Sequence, residues 1–314
     1  VASYVIKQVC ISVGVLLTAI AILFCLIYLV PGDPATIALG PRATEVQKEV
    51  FRQSMGLDQP IPVQAAHFLG NLLNGDFGTD LLTRQPVLRL VVAALPNTVM
   101  LALVGLGWAL MIGIPLGCIS ALKPNGALDR VIGLLSTSVI ALPAFLLAIY
   151  SLIVFSVMLR WLPAMGAGER GDVVDQAKHL ILPAFAVGLG WVGYIARLVR
   201  ASLLETLQEN HVRTYRAFGV SNLRIALRYA LPIAMIPIAA VVGVGLGNLL
   251  SGAVLVEVVF SRPGLGSLAH DAVTTRNSPV LLGTVLVTTL LYVVANLATD
   301  ILSAVLDPRI GKES

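Results

Sequence analysis

The residues with the clearest capacity for chemistry lie between Arg197 and Arg228. This stretch holds six arginines against two acids, Glu205 and Glu209. Within it, Arg213, Thr214, Tyr215, Arg216, Ala217, Gly219 and Ser221 lead to Leu231 and Pro232. A Gly that can take a left-handed turn, followed two residues on by a Ser that can cap a helix, predicts a helix over 200–218 and another over 222–230. Pro232 then opens a further helix, where its missing N–H costs little. The product is a basic helix–turn–helix elbow. A lipid-binding loop needs only charge and has no use for a Gly turn at fixed distance from Leu-Pro.

Reactive constellations are missing from the sequence. There is no G-x-x-x-x-G-K-[ST] loop for nucleotide and no H-E-x-x-H for zinc. Gly75-Asp76 does not fit a Gly-x-Gly-Asp protease site. The four histidines are scattered, and Cys10, Cys25 and Cys118 sit apart in apolar runs, so neither a metal set nor a disulfide framework is expected. No cofactor is expected either. Asp300, one turn after Asn296, is read as the ionisable residue within a span, either coupling a proton or pairing as an anchor with Arg197 or Arg200.

The elements that position the elbow follow from composition. Hydrophobic residues make up 57% of the 314 residues and charged residues 12%. A soluble domain carries about twice that charge. The net charge of +4 does not mark a nucleic-acid binder, because the basic residues punctuate apolar runs and do not cluster on one face. Uncharged runs cover 8–32, 90–122, 131–159, 179–204 (broken by Arg197 and Arg200), 229–256 and 277–299. Spanning a bilayer takes about 20 apolar residues as a helix, and continuous runs exclude the alternation of a β-barrel. The prediction is an all-α integral membrane protein with six transmembrane helices. The first run exceeds a signal-peptide core of about 7–15 residues and is expected to remain as a span.

Lys7, Lys123, Arg130, the six loop arginines, Arg309 and Lys312 gather in short segments on one side, which predicts cytoplasmic N- and C-termini. The expected organisation is an N-terminal helix over 1–30, an extracytoplasmic region over 31–93, a five-helix core over 94–306 containing the loop 197–231, and a tail over 307–314. In the outer region, Thr44 should cap an amphipathic helix that stops at Gly56, with turns at Pro60-Ile61-Pro62 and Gly75-Asp76-Phe77-Gly78. Small residues recur every four positions at Gly105, Ala109, Gly113 and Gly117, and again at Gly243, Gly247 and Ser251. They predict close helix packing, while Pro115 and Pro143 permit kinks.

Gly219, nine residues, then Tyr229-Ala230-Leu231-Pro232 resembles the cytoplasmic-loop motif of binding-protein-dependent ABC importer permeases, which reads Glu-Ala-Ala, three residues, Gly, nine residues, Ile-x-Leu-Pro. Here Arg213, Thr214 and Tyr215 replace Glu-Ala-Ala, and Tyr229 replaces Ile. Arg213-Thr214, Arg216-Ala217 and Gly219 look like the dipeptide/oligopeptide/nickel branch, which usually has Ala and Lys where this chain has Tyr215 and Phe218. Pro31-Gly32-Asp33-Pro34, Gly56-Leu57-Asp58-Gln59-Pro60, Gly75-Asp76-Phe77-Gly78, Leu180-Ile181-Leu182-Pro183, Arg262-Pro263-Gly264-Leu265-Gly266 and Leu306-Asp307-Pro308-Arg309-Ile310 extend the resemblance along nearly the whole chain.

The resemblance implies a type I ABC importer permease fold and the first permease subunit of a dipeptide-type importer. It further implies a second homologous permease, two ATPase subunits that hydrolyse the ATP and dock through the elbow, an extracytoplasmic solute-binding protein, and the bacterial inner membrane. The substrate could be a peptide, nickel chelate, glutathione, opine or oligosaccharide. A secondary transporter is the main rival, and it predicts inverted repeats and midplane charge that the sequence does not display. A membrane-embedded enzyme is the other rival, and the missing motifs argue against it.

Overall fold

The computed structural model describes residues 2–29, 34–40, 43–54 and 58–306. Its elements are helices α1 (Ala2–Leu29), α2 (Pro34–Leu39), α3 (Glu45–Ser54), α4 (Ile61–Leu73), α5 (Val87–Leu122), α6 (Ala127–Ala141), α7 (Ala144–Ser151, continued as a π-helix to Met158), α8 (Val173–Thr206), α9 (Asn210–Ala217), α10 (Asn222–Arg224, continued as a π-helix over Ile225–Ala230), α11 (Leu231–Val259), α12 (Leu265–Thr274) and α13 (Ser278–Leu306). Among the described residues, four helices are long and apolar enough to cross a membrane, and five if α6 and α7 form one span. The expected sixth span falls on α1, a helix of 28 residues whose side chains are described over Ile11–Cys25. The run 131–159, read as a single span, is instead bent by 101° between α6 and α7. Pro143 is the cause. It favours the extended conformation that Leu142 adopts (φ −90°, ψ 124°), because the ring disfavours the helical region for the residue before it.

The chain divides into two compact units. The first comprises residues 1–97 and 263–291. Here the Thr44 cap is present: the Gln47 N–H donates to Thr44 Oγ1 at 3.3 Å and the Thr44 N–H to Gln47 Oε1 at 3.0 Å, closing a reciprocal box at the start of α3. The expected stop, Gly56, lies outside the described residues. Pro60-Ile61-Pro62 is not a turn; it starts the 13-residue α4, since Pro is tolerated where a helix has no N–H partner to lose. Ala65, Phe68, Leu69 and Leu72 of α4 pack against Ile20 and Phe24 of α1 and Leu282 and Leu286 of α13.

Gly75 and Gly78 both adopt positive φ. Phe77 between them packs with Val87, Val91 and Val280. Asp80 is buried and accepts hydrogen bonds from Thr83, the Leu82 N–H and Asn277. Burial alone would raise the Asp80 carboxyl, but these bonds outweigh it and hold the group below its ordinary value.

The second unit comprises residues 98–262 and 292–314. Its core joins Ala109 and Cys118 of α5, Ile195, Val199 and Leu203 of α8, and Ala234 and Ile238 of α11. The predicted glycine stripe is the α5–α8 contact. A Cβ on Gly113 would stand 3.0 Å from Ile195, and one on Gly117 would stand 2.6 Å from both the Ala196 carbonyl and Val199. Trp108 Nε1 donates to the Ala184 carbonyl at 2.7 Å across the same seam. In the second stripe, Gly247 faces Tyr292.

Glu257 lies inside α11 and is fully buried, accepting from Thr98 Oγ1 at 2.6 Å. The helix ends in a Schellman turn: Ser261 takes φ +47°, and the Arg262 N–H reaches the Glu257 carbonyl at 2.8 Å. Asp300 lies in α13, but its side chain is outside the described residues.

Candidate functional site: the elbow between α8 and α11

α8 begins with Asp172 accepting the N–H groups of Val174 and Asp175 and runs for 34 residues. At 1.5 Å per residue it is about 51 Å long, well beyond a hydrocarbon core of about 30 Å, so its end carries the elbow out of the apolar layer. The helix expected over 200–218 is not continuous. It stops at Thr206 and turns through Leu207, Gln208 and Glu209, where N–H groups reach back three residues (Gln208 to Glu205, 3.0 Å; Glu209 to Thr206, 3.2 Å). No Gly or Pro marks this break. The turn lets the short α9 bury Val212 completely while Arg213, Thr214, Arg216 and Ala217 stay exposed.

Gly219 closes α9 as the sequence predicts. Its φ is +75°. The Gly219 N–H donates to the Arg216 carbonyl at 3.0 Å and the Val220 N–H to the Tyr215 carbonyl at 3.1 Å, a complete Schellman pair. Ser221 occupies the next N-cap with extended backbone (φ −64°, ψ 144°), yet its side chain makes no capping bond; only its carbonyl is used, accepting the Ile225 N–H at 3.0 Å.

The arm over 222–230 does not end before the next span. It passes through a six-residue π-helix directly into α11, with Leu231 half-buried and Pro232 in the first turn. A proline ring clashes with the carbonyl four residues back and offers no N–H to it. The wider π register just before Pro232 accommodates both effects.

The structure brings together two residues that depart from the family motif. The Tyr215 and Tyr229 rings stack with centroids 4.3 Å apart and 25° between planes, tying α9 to the arm that enters α11. His211 meets Tyr215 edge-on at 6.1 Å and pairs with Glu209 at 3.1 Å. Around this hinge, Arg213, Arg216, Arg224 and Arg228 have no acidic partner among the described residues. Between them stands Phe218, 80% exposed, with Leu223 and Leu227 also exposed. Exposed apolar side chains therefore alternate with exposed cations along this segment.

One further cluster escaped the sequence reading. Arg200 was expected to be a possible partner for Asp300. Among the described residues it pairs with Asp129 of α6, Nε to Oδ1 at 2.6 Å and Nη2 to Oδ2 at 2.7 Å. Asp129 is the sole acid in 123–130, and that was its only available signal. α8 is also held to α11 near the elbow, where Ser202 Oγ donates to the Ala234 carbonyl at 3.0 Å. Above, where α6 bends into α7, a cavity of about 520 Å³ opens between Leu142, Trp191, Tyr194, Asn248, Leu249 and Gly252. Among the described residues no group of three His, Cys, Asp or Glu is arranged to hold a metal.

Comparison with known proteins matches residues 113–312 to the family model described as "Binding-protein-dependent transport system inner membrane component", and residues 1–102 to the N-terminal model of the same transport systems. The glutathione transport system permease protein GsiC of Pectobacterium atrosepticum is 38% identical over 308 residues, 98% of each chain. The oligopeptide transport system permease protein AppB of Bacillus subtilis is 36% identical over 313 residues, 98% of this chain and 99% of its own. Among solved structures, an inward-facing form of the MetNI methionine ABC transporter superposes with a TM-score of 0.59 at 18% identity, covering 69% of this chain and 96% of that one. At that identity the likeness is one of fold.

Proposed function

Because the chain belongs to the binding-protein-dependent transport system inner membrane components, a family of permeases that work with ATPase and binding-protein partners, we propose that it forms half of the solute path of an ATP-driven peptide importer and receives its drive through the elbow at 210–228. The single observation that carries the docking role is the Gly219 turn, which presents Phe218 between arginines that have no acidic partner among the described residues. An ATPase surface with an apolar socket and an acidic rim would cover both. In this reading Arg213, Thr214, Tyr215, Arg216, Ala217, Gly219, Ser221, Leu231 and Pro232 make up the coupling element. Tyr215 acts as the hinge's internal brace, and Leu231 and Pro232 pass its displacement into α11.

The partners are a second, homologous permease, two ATPase subunits and an extracytoplasmic binding protein. α1 supplies the sixth span, residues 31–93 lie outside and 307–314 inside, and both termini are cytoplasmic. The basic elbow on the cytoplasmic side agrees with the positive-inside rule. The substrate class is small peptides, glutathione being a tripeptide. Support comes from the names of relatives that match over almost their whole length at 36–38% identity.

Reconstitution in proteoliposomes with the partner subunits, the binding protein and internal ATP held constant tests this reading. Labelled glutathione and a labelled tetrapeptide are the probes. At least one should accumulate, stop when ATP is withdrawn, and continue undiminished when an uncoupler collapses the proton gradient. Uptake that stops with the uncoupler at fixed ATP would replace this reading with the secondary carrier.

A further inference from the structure

We infer that Asp129 is a positioning residue for coupling: its bidentate pair with Arg200 clasps the α5–α6 turn to α8, so that displacement of the elbow carries α5, α6 and α8 as one body. The inference rests on the elbow being the ATPase dock. Four donors converge on this one carboxylate. Arg200 contributes Nε and Nη2, Ser120 at the end of α5 its hydroxyl, and Asn125 its backbone N–H at 2.8 Å. Asn125 adopts φ +63° to make that approach. Ser120 is fully buried and Asp129 nearly so.

Even a fully buried pair adds little net stability over an apolar contact of the same size, and the Arg200 side chain is 33% exposed. What a planar guanidinium on a carboxylate does supply is fixed orientation. The orientation fixed here is that of α8 two turns before its break at Thr206, against the start of α6 and the end of α5. Above the clasp the three helices already touch at backbone distance. A Cβ on Gly193 of α8 would lie 2.7 Å from the Ser136 carbonyl of α6, and one on Gly117 of α5 would lie 2.6 Å from the Ala196 carbonyl of α8. Glycine seams set how near helices come but allow sliding along the seam. The clasp opposes sliding at the end where force enters.

The test uses the assembled importer with its native cysteines replaced and nitroxides at Leu134→Cys of α6 and Glu205→Cys of α8, both exposed. Spin-label distances are read nucleotide-free and ATP-trapped, together with solute taken up per ATP hydrolysed, using glutathione and a tetrapeptide as probes. With Asp129 intact the distance should be the same in both states. Asp129→Asn should make it state-dependent and lower the uptake-to-hydrolysis ratio by about 5-fold or more, the lower end of a coupling of 1–3 kcal/mol. Arg200→Lys, which keeps the charge but loses the fork, should fall between. Lys123→Gln, an exposed position on the α5–α6 turn, should change nothing. If Asp129→Asn does not assemble, Arg200→Lys decides by the same two readouts. A distance that already changes with Asp129 intact, or variants that leave both readouts unmoved, would overturn the clasp. A photo-crosslinking amino acid in place of Phe218 in the same preparations separates this from failure of the docking reading, in which the ATPase subunits still co-purify but are not joined to the elbow.

Discussion

Replacing Gly219 by Val lowers uptake by about tenfold or more per inserted copy while the protein still reaches the membrane. No atom lies within 4 Å of where a Cβ would sit at this position, so the effect is not a clash; φ is +75°. A left-handed conformation costs an ordinary residue about 1–2 kcal/mol, and it is a genuine outlier for a β-branched one. The strain is relieved by releasing the Val220–Tyr215 and Gly219–Arg216 bonds that end α9. Phe218 and the arginines then lose their fixed presentation, and each 1.4 kcal/mol against the docked arrangement is a factor of ten in its population. Asn, which tolerates positive φ, should restore much of the activity. Uptake normalised to the immunoblotted membrane level, with ATPase co-purification alongside, measures this. Unchanged uptake in the Val variant would remove the Gly219 turn from the mechanism.

The second large effect is at Gly117. Any side chain here enters the α5–α8 seam, where the obstacle at 2.6 Å is partly backbone, the Ala196 carbonyl. Helix association in lipid depends on such close packing. Gly117→Ala should therefore destabilise by about 1–3 kcal/mol, as overpacking does. Gly117→Leu should prevent a stable, assembled chain from accumulating. Gly107 of the same helix has nothing within 4 Å, and Gly107→Ala should be tolerated. Thermal aggregation of the detergent-solubilised protein and the level of inserted chain report both. A stable Gly117→Leu variant would mean that α5 and α8 do not pack as described.

What the sequence made legible was local. Thr44 announced its helix cap from its place just before an amphipathic run. Gly219 declared its left-handed turn because few other residues accept one, and glycines every four positions declared a seam.

Features set by contacts between distant residues stayed hidden. Asp129 and Arg200 are 71 residues apart, and nothing in either neighbourhood announces the other. Tyr215 and Tyr229 looked like two unrelated departures from a motif until their stacking made them one contact. The break after Thr206 carries no Gly or Pro, because burial of Val212 and not local propensity decides it. Pro143 announced a kink but not that it would reach 101°. Pro60-Ile61-Pro62 carried a turn signal that also serves as a helix start, and the packing of Phe68 against Phe24 (5.8 Å) selects the helix.

The central claim is that the elbow itself meets the ATPase, and a photo-crosslinking amino acid in place of Phe218 tests it most directly. The side chain is 80% exposed, so the probe points outward without disturbing the core. In the assembled importer, irradiation should join the chain to an ATPase subunit in high yield, and the adduct should weaken when Gly219 is also changed to Val. Crosslinks that form only to lipid or to the second permease, while the ATPase subunits still co-purify, would contradict the account.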